Sequence, residues 1–232
     1  MLVSLAMAPV LGGLFYLYIR DKYEKEPHAL LAVSVLFGMV ISGPIVFVGN
    51  MSLLFLPQHW GLFGEAFFSA FVTSGLVEEF FKFLVLFLLM WKHRELNEKF
   101  DGIVYGVYVS LGFAFVENLL YVMSDDLGGL SVALARGVIS VPGHGLFGVF
   151  MGYLFTRAKW TQTGQPQGTQ GKHLFLALAL VVPVLLHGVY NLLLLTPVSL
   201  AVFLGYVVVL YGGAALLLKW HSDASPFKRP QV

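Results

Sequence analysis

The sequence predicts an all-α polytopic membrane helix bundle, and three observations carry that reading. Of 232 residues, 58% are hydrophobic and only 12% are charged, whereas a soluble domain carries roughly 25% charged residues. The mean hydropathy is +0.81. The apolar residues are also gathered into runs of about 20, the length a helix needs to cross a hydrocarbon core ~30 Å thick. About seven such runs are read, at 2–19, 29–56, 63–91, 102–123, 130–156, 174–195 and 198–219.

The first run has no basic stretch ahead of it and is long enough to stay as a span rather than be cleaved as a signal. The second, third and fifth exceed the minimum, so tilt, kinks or interfacial extensions are expected. Pro44, Pro142 and Pro183 fall inside runs, where proline bends a helix and frees backbone carbonyls. The stretch TQTGQPQGTQGK at 161–172 reads as a flexible polar linker between the fifth and sixth spans. No repeat and no second domain are visible, so residues 1–232 are read as one domain. With no cysteine in the chain, disulfides, a thiol nucleophile and a Cys-based zinc site are excluded.

Charge sets the expected topology. Of fourteen Lys and Arg, only Lys82 and Arg136 lie within runs. The others are Arg20, Lys22, Lys25, Lys92, Arg94, Lys99, Arg157, Lys159, Lys172, Lys219, Lys228 and Arg229, and all fall in alternate loops or the C-terminal tail. Under the positive-inside rule the N-terminus is outside and the C-terminus, with a tail at 220–232, is cytoplasmic.

Several polar residues interrupt the apolar runs. Glu78 and Glu79 stand side by side with Lys82 one turn on, although an intramembrane carboxylate costs at least ~2.5 kcal/mol. Glu117 and Asn118, His144, and His187 with Asn191 lie in three further spans. At 1.5 Å per residue from the cytoplasmic ends, Glu78, Glu79, His144 and His187 come out at roughly 18–20 Å, with Glu117 near ~23 Å and Asn191 near ~26 Å. Four helices thus bring polar groups to one level. Glu78 and Lys82 are four apart and share a face, as do His187 and Asn191, and Phe113 and Glu117. Glu79 is expected to point about 100° away from Glu78, toward another partner. Glycines at 75, 112, 143, 145, 148 and 188 flank these positions and allow close helix approach. His28, His59, His93, His173 and His221 sit at span ends or in loops and read as interfacial. Arg136 reads as an interfacial snorkeler or a carboxylate partner. Tyr105, Tyr108, Tyr121 and Tyr190 read as packing residues.

A carboxylate with two imidazoles suits activation of water. Glu78 or Glu79 can serve as general base. An imidazole and the Asn191 amide can donate to an oxyanion. The same groups (His144, His187 and Glu79) could instead hold zinc, and the residues themselves leave both chemistries open. Two other readings explain buried polar groups: a proton- or ion-coupled transporter, and a scaffold whose polar residues only join helices. The odd span count and lack of inverted repeats speak against the transporter.

The pieces VEEFFK (Glu78, Glu79, Lys82), DGIVYG (Asp101, Gly102), GFAFVEN (Phe113, Glu117, Asn118), VPGHGLFG (His144) and HGVYN (His187, Asn191) together resemble the PrsW family of intramembrane proteases. That family is related to the CAAX prenyl endopeptidases and bacteriocin-processing enzymes. The wider group has His at the position of Glu117 and Arg one residue beyond Lys82, and both departures follow the PrsW branch. The resemblance implies a multi-pass protease of the bacterial plasma membrane, with its catalytic core at about 63–195. It implies Glu78, Glu79, His144, His187, Asn191 and Glu117 at the site, with Lys82, Phe113 and Asn118 in support. It further implies a membrane-anchored protein substrate such as an anti-sigma factor, no nucleic-acid partner, and either zinc or no cofactor.

Overall fold

The computed structural model describes residues 1–22, 24–56, 59–124, 126, 128–161 and 168–223. Helix is the only regular structure among them, as hydrocarbon demands of a backbone that must satisfy its own polar groups. The α-helices are α1 (Leu2–Arg20), α2 (His28–Val40), α3 (Ser42–Leu53), α4 (Gly61–Phe68), α5 (Val77–Met90), α6 (Asp101–Val122), α7 (Leu130–Ala135), α8 (Val141–Trp160), α9 (Gly168–Leu195) and α10 (Leu200–Asp223). Two π-helical segments, Ser69–Leu76 and Arg136–Ser140, join α4 to α5 and α7 to α8 without a break.

Six helices among the described residues are long and apolar enough to span a membrane. They are Leu2–Arg20, His28–Leu53, Asp101–Val122, Leu130–Trp160, Gly171–Leu195 and Leu200–Trp220. The remaining expected run is helical from Gly61 to Met90. Its charges (Glu65, Glu78, Glu79 and Lys82) distinguish it from the others. The prolines act as expected at two sites. Pro44 sits in the first turn of α3, just past the turn at Ile41 that divides the second span. Pro142 directly follows the second π segment, where it has no amide hydrogen to continue the helical ladder. The expected linker is shorter than read: α9 begins at Gly168, while 162–167 lie outside the described residues. Likewise 220–223 extend α10, and 224–232 lie outside the described residues.

Helix α6 forms the centre, with every residue from Asp101 to Ala114 buried. It meets α8 along a glycine seam. A Cβ at Gly106 would lie 2.7 Å from the Gly148 carbonyl oxygen, and one at Gly148 would lie 2.8 Å from that of Gly106. Gly102 and Gly152 face each other one turn along. Helix α9 packs against α8 and the first π segment, where Gly75 approaches the Val184 carbonyl and the Gly188 amide. Outward faces carry Phe15, Phe47, Val208, Val209 and Leu216, all exposed to the lipid. On the Met90 side of Lys82, Phe83, Phe87 and Trp91 of α5 stack in series. Phe155 of α8 meets all three edge-on.

Near the first residues of α6, Tyr105 donates to the Glu26 carboxylate, so this tyrosine does more than pack. Asp101 Oδ2 accepts from the backbone amides of Asn97 (2.7 Å) and Glu98 (2.5 Å). Burial lifts the Glu26 carboxyl from its ordinary 4.5 to about 7, and that of Asp21 from 3.8 to about 6. A raised native value means the protonated form stabilises the fold. That contribution is complete below the unfolded value and is lost as pH rises through the folded one. Glu26→Gln is therefore expected to flatten the decline of thermal stability between about pH 5 and 8. Melting curves in detergent check this, and an unchanged pH slope contradicts it.

Candidate active site

The four polar spans converge. Glu78 and Glu79 enter on the first turn of α5, directly after the π segment. Lys82 lies one turn further, Glu117 near the end of α6, His144 in the first turn of α8, and His187 with Asn191 in the second half of α9. Glu79, Lys82, His144 and His187 are buried, with Glu79 and Lys82 at 0% exposure.

Lys82 is the hub. Its Nζ is 2.7 Å from Glu79 Oε1, 3.4 Å from Glu78 Oε2 and 3.1 Å from His144 Nδ1. It also lies 4.4 Å from the centre of the Phe113 ring, a cation–π contact. The expectation that Glu79 turns away from Lys82 is thus corrected. Glu79, three residues before the lysine, is its nearer partner. Glu79 Oε1 also accepts from His187 Nδ1 at 2.9 Å, while Glu79 Oε2 is buried without a protein partner.

The bonds fix the imidazole tautomers. An ammonium has only donors, so His144 Nδ1 accepts and its Nε2–H donates to Glu117 Oε2, 2.9 Å away. Both nitrogens of His144 are then committed. His187 spends Nδ1 on Glu79, which leaves Nε2 as the nitrogen for chemistry. The two rings meet edge to face with centroids 5.2 Å apart, and Phe147 stacks on His187 at 4.8 Å.

These groups border a cavity of about 360 Å³ whose walls include Glu78, Glu117, Arg136, His144, His187 and Asn191. Glu78, not Glu79, lines it. Its lining also includes Tyr121, Ala135, Leu194 and Leu195, at the ends of α6, α7 and α9. Asn191 lines the wall one turn from His187. Asn118 stands apart from the cavity, buried, with its Nδ2 donating to the Ala6 carbonyl at 2.9 Å. Of the two readings open for Arg136, the carboxylate partner holds: its Nη2 is 2.5 Å from Glu117 Oε2. Its place inside an apolar run, near the outer end of the fifth span, was the only hint in the sequence. Phe147 and Tyr190, which also line the cavity, gave no signal beyond ordinary aromatic packing.

Glu78, Glu79, His144 and His187 each offer a ligand atom within 4.8 Å of the others. The donor types suit zinc, and the unpartnered Glu79 Oε2 is a free ligand atom. Lys82 already lies against three of the same side chains, Glu78, Glu79 and His144.

A model of the PrsW family of intramembrane metalloproteases matches residues 26–216. A Protease PrsW from Geobacillus kaustophilus is 34% identical over 231 residues, covering 100% of this chain and 95% of the relative. Another, from Clostridioides difficile, is 35% identical over 90% of this chain and 87% of its own. One from Bacillus subtilis is 35% identical over 83% of this chain and 82% of its own. No solved structure matches. With the motifs in order, the site assembled and the match spanning most of its length, this chain belongs to the PrsW family of intramembrane metalloproteases.

Proposed function

We propose that the chain is an intramembrane endopeptidase that hydrolyses a peptide bond in a membrane-anchored protein, with an anti-sigma factor as the expected substrate class. The observation that carries the reading is the convergence of Glu78, His187 and Asn191 on one cavity wall. Glu78 takes a proton from a water as its oxygen attacks the carbonyl carbon. The oxyanion accepts from the Asn191 amide, while His187, its Nδ1–H held by Glu79, offers the Nε2 lone pair to the second hydrogen of the attacking water. Glu78 then returns the proton to the leaving nitrogen as the C–N bond breaks. Glu79 holds His187, and Lys82 and Glu117 hold His144. Incubation of the purified protein with a panel of single-span substrates tests this, and intact substrates throughout would overturn it.

If zinc binds, Glu79, His144 and His187 would hold it, and the ion would supply Lewis-acid polarisation of the carbonyl or a more acidic water. The ammonium of Lys82 beside Glu79 and His144 favours the metal-free route. Enzyme treated with a strong chelator is therefore expected to keep most of its activity. Loss of activity on stripping, with recovery on stoichiometric zinc, would assign the chemistry to the metal.

The protein is multi-pass, and the bacterial plasma membrane is its proposed location, since the relatives are bacterial. The loop cations support a topology with the N-terminus outside. The native chain has no cysteine, so single cysteines report topology directly. His59→Cys should react with an impermeant reagent in intact cells, and Asn97→Cys only after lysis. The reverse pattern would invert the orientation.

A further inference from the structure

We infer that Arg136 is a positioning residue of the hydrolytic site, acting through Glu117 on His144; the inference rests on the endopeptidase reading above. One oxygen carries it. Glu117 Oε2 accepts from Arg136 Nη2 at 2.5 Å and from His144 Nε2 at 2.9 Å. The carboxylate borders the cavity with 18% of its side chain exposed. Without a second donor it is free to rotate toward water and leave the imidazole. Arg136 supplies that donor and is itself held on three sides. Its Nε donates to Asn118 Oδ1 at 3.1 Å, and its guanidinium lies 4.0 Å from the centre of the Tyr121 ring. Asn118 in turn donates to the Ala6 carbonyl of α1. The hydrogen bonds therefore run from α1 through Asn118, Arg136, Glu117, His144, Lys82 and Glu79 to His187.

The backbone is shaped for this. Arg136 and His144 are eight positions apart on one continuous helix, which in unbroken α geometry sets them about 80° apart. The π segment Arg136–Ser140 takes up one extra residue. The pair then behaves as positions seven apart, about 20° from alignment, and both reach the same carboxylate. The fork of arginine explains why this residue suits the place: it engages Glu117 and Asn118 at once, which a lysine ammonium at a single point does less well.

The test uses the full-length enzyme and a single-span reporter substrate, with kcat and KM measured separately. Arg136→Gln should lower kcat about 100-fold, the scale of a slightly misplaced catalytic group, with KM little changed. Arg136→Lys should recover part of the loss. The double variant Arg136→Gln with Glu117→Gln should be no slower than Glu117→Gln alone, because one unit has been removed twice. It also removes both half-buried charges together, which guards against misfolding of the single variant. A double variant whose loss is the product of the single losses would overturn the inference. So would a raised KM at unchanged kcat, which would place Arg136 on the substrate. The ¹⁵N resonances of His144, assigned with His144→Gln, give a readout without turnover and should move in Arg136→Gln. If the wild-type protein cleaves no substrate, the endopeptidase reading falls, and the His144 resonance decides alone: a shift supports the positioning role and an unmoved signal overturns it.

Discussion

Glu78→Gln is expected to leave a folded, membrane-inserted protein whose cleavage is reduced by about 10²–10⁴-fold, the contribution of a positioned general base. Glutamine keeps the shape of the side chain and removes only its capacity to accept a proton. Glu78 lines the cavity and lies at 3.4 Å from Lys82, so its loss leaves the lysine with its closer partner. Glu79→Gln should also abolish turnover, but with a different signature. Glu79 Oε1 is the shared acceptor of Lys82 and His187, and breaking such a buried pair costs on the order of 3–5 kcal/mol. That variant should melt well below the wild type, whereas Glu78→Gln should not. Reporter cleavage together with melting in detergent separates them. Near-normal cleavage by Glu78→Gln would remove it as the base, and a low melting point would recast it as structural. His144→Ala and His187→Ala should each be inactive as well.

The second large effect is structural. Gly152→Val is expected to cost more than the ~1–3 kcal/mol of ordinary overpacking, because the new side chain meets the Gly102 carbonyl and the Ile103 backbone of α6. Backbone cannot step aside as a flexible side chain can. Helices α6 and α8 would separate, and with them Glu117 from His144, so folding and activity should fall together. Gly205→Val is the control, since nothing lies within 4 Å of a Cβ there. Thermal melting and elution as a single species report the outcome. Equal behaviour of the two variants would show that the seam is not close-packed.

The legibility of this fold followed the physics of the bilayer. Spans were readable because hydrocarbon imposes a length and a polarity on every crossing. The convergence of Glu78, His144 and His187 was readable because depth in a membrane follows from counting residues. Rotation was not. Glu79 and Lys82 are three apart, Glu78 and Lys82 four apart, and helical spacing permits both pairings; both form, and only packing against α8 and α9 makes Glu79 the nearer partner. The π segments were hidden for a related reason. A one-residue offset leaves hydrophobicity intact and changes only which side chains share a face. Arg136 and Glu117 were therefore visible as two intramembrane charges but not as a pair. Contacts between segments distant in sequence, such as Tyr105 with Glu26 or Asn118 with the Ala6 carbonyl, carry no local signature at all.

The stack of Phe83, Phe87 and Trp91 with Phe155 has an electrical consequence. Hydrolysis within a bilayer requires water near its middle, and a chain of titratable groups that crossed the bilayer would be a wire for protons. A membrane potential drives each such charge with about 2.3 kcal/mol per 100 mV. Here Lys82 is the last α5 member of the hydrogen-bonded network, and on its Met90 side lie rings with no acceptor nitrogen or oxygen to relay a proton. On the endopeptidase reading, such an aromatic layer lets water reach the peptide bond from the cavity without opening a path for the cell's ion gradient.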